Sequence, residues 1–185
     1  MRITGGILSG RRIPEAPKRV RPTQDRVREA VFSSLAPIIA GARVLDLFAG
    51  VGTLGLEAWS RGAASVCWVE RDAAVCRALQ SNVKALCDDS DRPVRVVRAD
   101  AFRFLAASPE PETYDVILVD PPYASRVEES PLPRLSEIIC DKAAIAPEGI
   151  LVFEQSAQLD SVEVSGWTLL KDRRYGEARI LMYRR

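Results

Sequence analysis

Asp120-Pro121-Pro122-Tyr123 is the stretch of this 185-residue sequence whose residue types point most directly to a reaction. Two consecutive prolines fix the backbone and remove two N–H donors, so the turn they make presents carbonyl oxygens. The Pro121 carbonyl and the Asp120 carboxylate together offer two acceptors to a single NH2 group. Tyr123 adds a flat face on which a base or an amide can stack. An amine conjugated to a ring is a poor nucleophile, because its lone pair is delocalised. Accepting both of its hydrogens localises that pair, and holding the nitrogen in line with an electrophilic carbon completes the activation by orientation and electrostatics. The plainer role for the same residues is a rigid turn after a strand. The sequence contains no histidine, which removes the commonest general base and the commonest zinc ligand.

A second constellation supplies the electrophile. Val44-Leu45-Asp46-Leu47-Phe48-Ala49-Gly50-Val51-Gly52-Thr53-Leu54-Gly55 reads as a buried strand, a glycine turn and the start of a helix. Gly50, Gly52 and Gly55 spell G-x-G-x-x-G, which by itself serves several nucleotide cofactors. Asp46 discriminates among them. A carboxylate at the mouth of the turn repels a pyrophosphate and welcomes the cationic end of S-adenosyl-L-methionine, so Asp46, Phe48, Ala49, Gly50 and Gly52 are candidate contacts for that cofactor. Glu70, followed by Arg71, lies 20 residues after Gly50, the separation at which an acid holds both ribose hydroxyls. Asp100 would reach the adenine amino group, with Ala101 or Phe102 against the ring. The ribose and adenine roles suit NAD equally; the Asp-Pro-Pro-Tyr device does not.

These residues sit at the ends of elements that alternate. Strands are expected at Arg43–Leu47, Ser65–Val69 running into Glu70, Val94–Arg98, Val116–Val119 and Ile150–Glu154, with helices between them. Asp72 is placed to cap a helix whose apolar face is Val75, Leu79, Val83 and Leu86. A short helix carries Phe102, Phe104 and Leu105, and Ser108–Thr113 reads as a loop. A mobile segment, Ala124–Pro133, precedes a helix built on Leu135, Ile138, Ile139 and Ala143. Pro147-Glu148-Gly149 reads as the turn before the fifth strand. Two strands near Trp167–Arg173 and Ala178–Arg184 close the chain as an antiparallel hairpin. Upstream, a helix with Val27, Val31, Phe32 and Leu35 on one face is expected to stop before Pro37, with Thr23 at its N-cap. This is an α/β, doubly wound, mainly parallel sheet, and such sheets bind ligands at the carboxyl ends of their strands. Asp46, Glu70, Asp100 and Asp120 all fall there.

Composition limits the rest. The length suits one domain able to bury about 70% of its unfolded surface. No apolar run reaches the roughly 18–20 residues of a membrane span, and Met1-Arg2-Ile3-Thr4 does not read as a signal peptide, so the expected compartment is the cytoplasm. Cys67, Cys76, Cys87 and Cys140 show no C-x-x-C pairing and read as free thiols; no metal is expected. The overall charge of +1 is uneven. Residues 1–28 hold eight basic side chains (Arg2, Arg11, Arg12, Lys18, Arg19, Arg21, Arg26, Arg28) against Glu15 and Asp25, and the remainder is net acidic. A basic arm on an acidic body suits a polyanion, nucleic acid first. Within it, Gly5-Gly6 and Gly10 between Ile3, Ile7, Leu8 and Ile13 suggest a hairpin. The division expected is a basic arm over residues 1–22 and a cofactor-binding domain over 23–185.

In this order, Asp46-Leu47-Phe48-Ala49-Gly50-Val51-Gly52, Glu70, Asp100 and Asp120-Pro121-Pro122-Tyr123 resemble the motifs of class I S-adenosylmethionine-dependent amino-methyltransferases. Arg2-Ile3-Thr4-Gly5-Gly6, Gly10-Arg11 and Arg21-Pro22-Thr23-Gln24-Asp25-Arg26-Val27-Arg28-Glu29 are closer still to the bacterial family that methylates guanine N2 in 16S ribosomal RNA. The resemblance spans essentially the whole chain. It implies a seven-stranded Rossmann-like fold in which Asp120 and Tyr123 grip the guanine and Thr23 helps close the methionine end of the cofactor pocket. It also implies that Arg2, Arg11, Arg12, Lys18, Arg19 and Arg21 contact RNA, in the 30S subunit or an assembly intermediate; nothing in the sequence requires more than a monomer. The wider pattern allows Asn or Asp at the first position of the tetrapeptide, and Asp fits a guanine. Tyr175-Gly176-Glu177 matches more loosely and is given no role. Two other readings stay open. A DNA adenine-N6 or protein glutamine-N5 methyltransferase would use the same device, although the chain has no separate target-recognition domain. A non-catalytic RNA-binding protein would have no need of both the glycine turn and Asp120.

Overall fold

The computed structural model describes residues 1–14, 25–87, 91–107 and 113–185. Five strands run parallel: β1 (Arg43–Leu47), β2 (Ser65–Glu70), β3 (Val94–Arg98), β4 (Tyr114–Val119) and β5 (Ile145–Ser156). β6 (Thr168–Tyr175) and β7 (Ala178–Arg184) form the expected hairpin, and β7 pairs antiparallel with β5. The sheet order is β3-β2-β1-β4-β5-β7-β6, so the chain reverses direction across the sheet between β1 and β4. That switch point opens the ligand crevice in doubly wound sheets. Helices α1 (Asp25–Ile39), α2 (Thr53–Ser60) and α3 (Ala73–Cys87) cover one face through Phe32, Leu56, Trp59 and Leu79. Helices α4 (Ala101–Ala107) and α5 (Leu132–Asp141) cover the other through Leu105, Leu132, Leu135 and Ile139. β1, β2 and β4 are apolar on both sides because both sides are covered. Among the described residues no helix is long and apolar enough to cross a membrane. Cys67, Cys76 and Cys87 are buried free thiols, and burial pushes Cys87 up to about 12.

Three elements differ from their sequence patterns. α1 runs through Pro37 to Ile39. The proline ring and its missing N–H fall on the exposed side of the last turn, and the buried Ile39 beyond them holds that turn to the core. β5 starts at Ile145, so Pro147-Glu148-Gly149 is a bulge inside it and not the turn before it. Tyr114 pairs with Ile145 and Val116 with Ile150, and Glu148 sits at φ 63. α5 begins at Leu132, which is fully buried, with a 3-10 turn at Val127–Glu129 just before it. The helix therefore starts earlier than the proline at 133 suggested, because proline is tolerated in a first turn. All but the last residue of the loop expected at 108–113 lies outside the described residues, as do Thr23, Lys18, Arg19 and Arg21.

The described part of the basic arm is a hairpin. Arg2 and Arg12 form an antiparallel bridge, Ile3 N–H bonds to the Arg11 carbonyl (3.0 Å) and Gly10 N–H to the Ile3 carbonyl (2.8 Å). Ile3, Leu8 and Ile13 are buried in the core shared with α1 and α2. A Cβ on Gly6 would lie 1.9 Å from the Ser60 carbonyl oxygen, so only glycine lets the hairpin tip sit this close to α2. Glu57, fully buried on α2, binds the hairpin electrostatically. Its carboxylate accepts from Thr4 N–H (2.9 Å), Thr4 Oγ1 (2.7 Å) and Arg61 Nε (2.8 Å), and lies 4.0 Å from Arg28 Nε. Arg28 is itself 0% exposed and donates to the Arg2 carbonyl (2.6 Å) and Asp25 (2.7 Å). Arg28 is therefore a structural ion and not part of the arm's exposed positive surface. Glu57→Ala strands buried donors and a buried guanidinium, and it should lower unfolding stability by about 3–5 kcal/mol, read by urea titration.

Candidate functional site

The glycine turn is built by β1 ending and α2 starting within six residues. Phe48 at φ 59, Gly50 at φ 57 and Gly52 at φ 89 take the left-handed conformations that reverse the chain. A Cβ on Gly52 would meet Leu79 Cδ1 at 2.4 Å, and one on Gly55 would meet Trp68 Nε1 at 2.1 Å. The third glycine thus lets α2 pack against the β2 tryptophan, whose Nε1 also donates to the Gly52 carbonyl (3.3 Å). Asn82 of α3 holds the turn from the other side, donating from Nδ2 to the Val51 carbonyl at 3.0 Å. Neither contact shows in the motif itself, because both partners come from other elements.

Asp46 lies beneath this turn, 1% exposed. Its Oδ2 accepts the Gly55 N–H at 2.8 Å, while its buried Oδ1 has no hydrogen-bond partner among the described residues. Burial raises its carboxyl from the ordinary 3.8 to about 7, with the Gly55 bond opposing and the nearby Glu70 charge adding. An orphaned, desolvated carboxylate oxygen is what a cationic ligand relieves, and the ammonium of S-adenosylmethionine fits it. Glu70, at the end of β2, accepts Gly50 N–H through Oε2 (3.0 Å) and Asp72 N–H through Oε1 (2.7 Å). Each carboxylate oxygen keeps acceptor capacity for a ribose hydroxyl beyond those bonds. Arg71 beside it is exposed. Asp100 is half-buried and caps α4, accepting the Arg103 N–H at 3.1 Å. Ala101 is buried, and Phe102 is half-buried with its ring edge-on to Phe48 (centroids 6.4 Å apart, 78° between planes). The Arg134 guanidinium of α5 lies 4.7 Å from the Phe102 ring centre, a contact that the sequence spacing did not signal. Phe48 and Phe102 together form an apolar wall, the kind of surface an expected adenine would lie against.

The acceptor side adjoins. Leu47 pairs with Val119, so the chain leaving β4 passes directly beside the glycine turn, and Asp120 N–H reaches the Leu47 carbonyl at 3.5 Å. Asp120 is half-buried, Pro121 buried, Pro122 exposed and Tyr123 half-buried. The Tyr123 hydroxyl donates to Glu154 Oε1 at 2.7 Å. Glu154 ends the run Ile150–Glu154 as the other acids end theirs, so the strand-end rule could have found it. The structure therefore brings together Asp46, Phe48, Ala49, Gly50, Gly52, Glu70, Asp100, Ala101, Phe102 and Asp120–Tyr123 around one switch point. It sets Arg2, Arg11 and Arg12, all exposed, on the hairpin along α2. There an open groove of about 790 Å³, lined by Ile7, Arg11, Trp59 and Arg92 among others, lies at the end of α2 away from the glycine turn.

Asp46 gives the site a measurable pH signature. Between 3.8 and about 7 the folded chain holds a proton that the unfolded chain has lost, so this residue makes stability fall as pH rises across that window. Asp46→Asn removes that dependence. Its melting temperature should gain on the parent protein's between pH 5 and pH 8, measured without cofactor; a difference independent of pH would count against the buried ionisation.

Comparison with known proteins agrees with this architecture. The family model described as "Conserved hypothetical protein 95" matches residues 1–184. "Ribosomal RNA small subunit methyltransferase D" of Escherichia coli is 36% identical over 188 residues, covering 100% of this chain and 90% of that protein. The protein of the same name from Haemophilus influenzae is 31% identical over 184 residues, covering 99% and 93%. The solved structure of yhhF from Escherichia coli matches with a TM-score of 0.85 at 35% identity, covering 100% of this chain and 97% of that one. The chain belongs to this family of class I S-adenosylmethionine-dependent methyltransferases, which its small-subunit ribosomal RNA methyltransferase D relatives represent.

Proposed function

We propose that this protein transfers a methyl group from S-adenosylmethionine to the exocyclic N2 of a guanine in 16S ribosomal RNA, in the small subunit or an assembly intermediate of it. The observation that carries the reading is the position of Asp120-Pro121-Pro122-Tyr123 one ladder step from the glycine turn, on the strand next to Asp46. When bound, the cofactor supplies a methyl carbon made electrophilic by a sulfonium. The Asp120 carboxylate and the Pro121 carbonyl accept the two N2 hydrogens and turn the nitrogen lone pair toward that carbon. Tyr123 stacks on the base and fixes the plane of approach. Methylation would leave the amine with a surplus proton, and Asp120 is the group placed to accept it. No imidazole is required. Asp46 and Glu70, held under and beside the turn, position the methionine end and the ribose, with Thr23 proposed to close the methionine end.

RNA capture falls to the hairpin. Arg2, Arg11 and Arg12 are exposed on it, and Arg11 lines the groove at the end of α2; Lys18, Arg19 and Arg21 continue the proposed track. Phosphates are drawn to this surface and repelled by the ring of carboxylates in the crevice.

Transfer of a tritiated methyl group to free 16S RNA, to 30S particles and to DNA, followed by identification of the modified nucleoside, tests the proposal. N2-methylguanosine in the RNA is expected; label in N6-methyladenine of DNA would replace this reading. Asp120→Ala should abolish transfer while cofactor affinity stays within a few-fold, and parallel loss of cofactor binding would show that Asp120 serves the donor instead. Neutralising Arg11 and Arg12 should weaken RNA binding and flatten its salt dependence by about 0.7–0.9 log units per lost phosphate contact, measured by filter binding across salt concentrations.

A further inference from the structure

Glu154 is 7% exposed and lies near the end of the β5 ladder, two residues before the strand ends and level with the chain leaving β4. Burying a carboxylate is costly, and a strand end offers easier residues for packing alone. Its place in the sheet is specific. Leu118 pairs with Val152 and Val119 with Phe153, so Asp120, the first residue past β4, follows beside Glu154 of β5. Leu118 and Val152 belong to the α1–α2 face, and alternation along β5 returns Glu154 to that same face. Two carboxylates one strand apart, a spacing of about 4.8 Å, can meet neighbouring groups on one edge of a base. The Tyr123 hydroxyl ties Glu154 to the ring on which that base would stack (2.7 Å).

Guanine is the base whose edge presents two adjacent donor groups, N1–H beside N2–H2. Adenine and cytosine each place a ring-nitrogen acceptor next to their amine, and a carboxylate opposite that acceptor is repelled. We infer that Glu154 is a specificity-determining residue that accepts the N1–H of the target guanine while Asp120 and the Pro121 carbonyl hold N2. A carboxylate has about four acceptor positions, so the Tyr123 bond and further partners leave room for this one. The same Tyr123 bond sets the tilt of the stacking ring, so the plane of the base and the group that reads its edge are fixed together. This inference rests on the guanine-N2 reading above.

Its test uses RNA in which the target guanosine, located beforehand by mapping the methylated nucleoside, is replaced by 2-aminopurine riboside. That base keeps the amine to be methylated but has an acceptor at N1. The full-length enzyme should prefer guanine in kcat/KM by about 10- to 100-fold, the range of one hydrogen bond to a charged group. Glu154→Gln should lose most of that preference by falling on guanine while holding its rate on 2-aminopurine. Tyr123→Phe keeps the carboxylate and should retain the preference, with both rates lowered. Equal losses on both bases in Glu154→Gln would show that Glu154 serves only to hold Tyr123, and unchanged rates would remove it from recognition altogether; either overturns the inference. Absence of any preference in the unmodified enzyme does so too, without needing a variant that folds. Failure of the parent reading is separate, since it appears first as a methylated nucleoside other than N2-methylguanosine.

Discussion

A single hydrogen bond governs the geometry of the crevice: the Gly55 N–H donated to the buried Asp46 carboxylate at 2.8 Å. It joins the end of β1 to the first turn of α2 and so fixes how sharply the chain reverses between them. The reversal works only because residues 50 and 52 accept positive φ and because residue 55 has no side chain to keep α2 off Trp68. The bond satisfies one carboxylate oxygen and leaves the other desolvated and, among the described residues, unpartnered, an electrostatic cost that a cation would remove. On the proposed reading, structural closure and cofactor affinity come from the same side chain.

From β1 the remaining contacts follow by register. Leu45 lies against Cys67 and Ile117, and Leu47 against Val69 and Val119, so the acids that end β2 and β4 arrive on either side of the turn. Asp120 needs no special loop to reach the cofactor site. It is the first residue past a strand whose position the core already determines. The same ladder carries across to β5 and puts Glu154 next to Asp120. A parallel sheet covered on both faces thus works as a ruler for the crevice, and errors in its packing would shift every acid at once.

Much of this was legible in the sequence, and the rest was hidden for definable reasons. Strand ends such as Leu47, Arg98 and Val119 follow from apolar runs closed by acids, which is local information. The bulge at Pro147–Gly149 was not legible, because it depends on Tyr114 and Val116 pairing with residues five apart on β5. Pro37 inside α1 misleads for a related reason: the penalty is local, while the burial of Ile39 that outweighs it is tertiary. Glu57 looks like an ordinary helical acid until the hairpin lays Thr4 against it, 53 residues away in sequence. Arg28 counts as positive charge in any tally of the arm, yet its guanidinium is entirely inside. Glu154 obeyed the rule that found Asp46, Glu70, Asp100 and Asp120, and its burial and its bond to Tyr123, both tertiary, set it apart from a solvated acid.

The distribution of charge then separates two tasks that a nucleic-acid substrate would otherwise confuse. Asp46, Glu70, Asp100, Asp120 and Glu154 are the acids of one crevice, and a phosphate entering it would meet their carboxylates. A neutral base edge rich in donors meets the same groups as acceptors. The hairpin offers the reverse, exposed arginines over a packed apolar underside, with the buried Glu57 carboxylate holding it to α2. Because α2 begins at the glycine turn and ends against the hairpin tip, one eight-residue helix sets the spacing between the two surfaces. On the proposed reading, a substrate gripped by its backbone at one end of α2 meets the crevice at the other with a base turned away from that backbone.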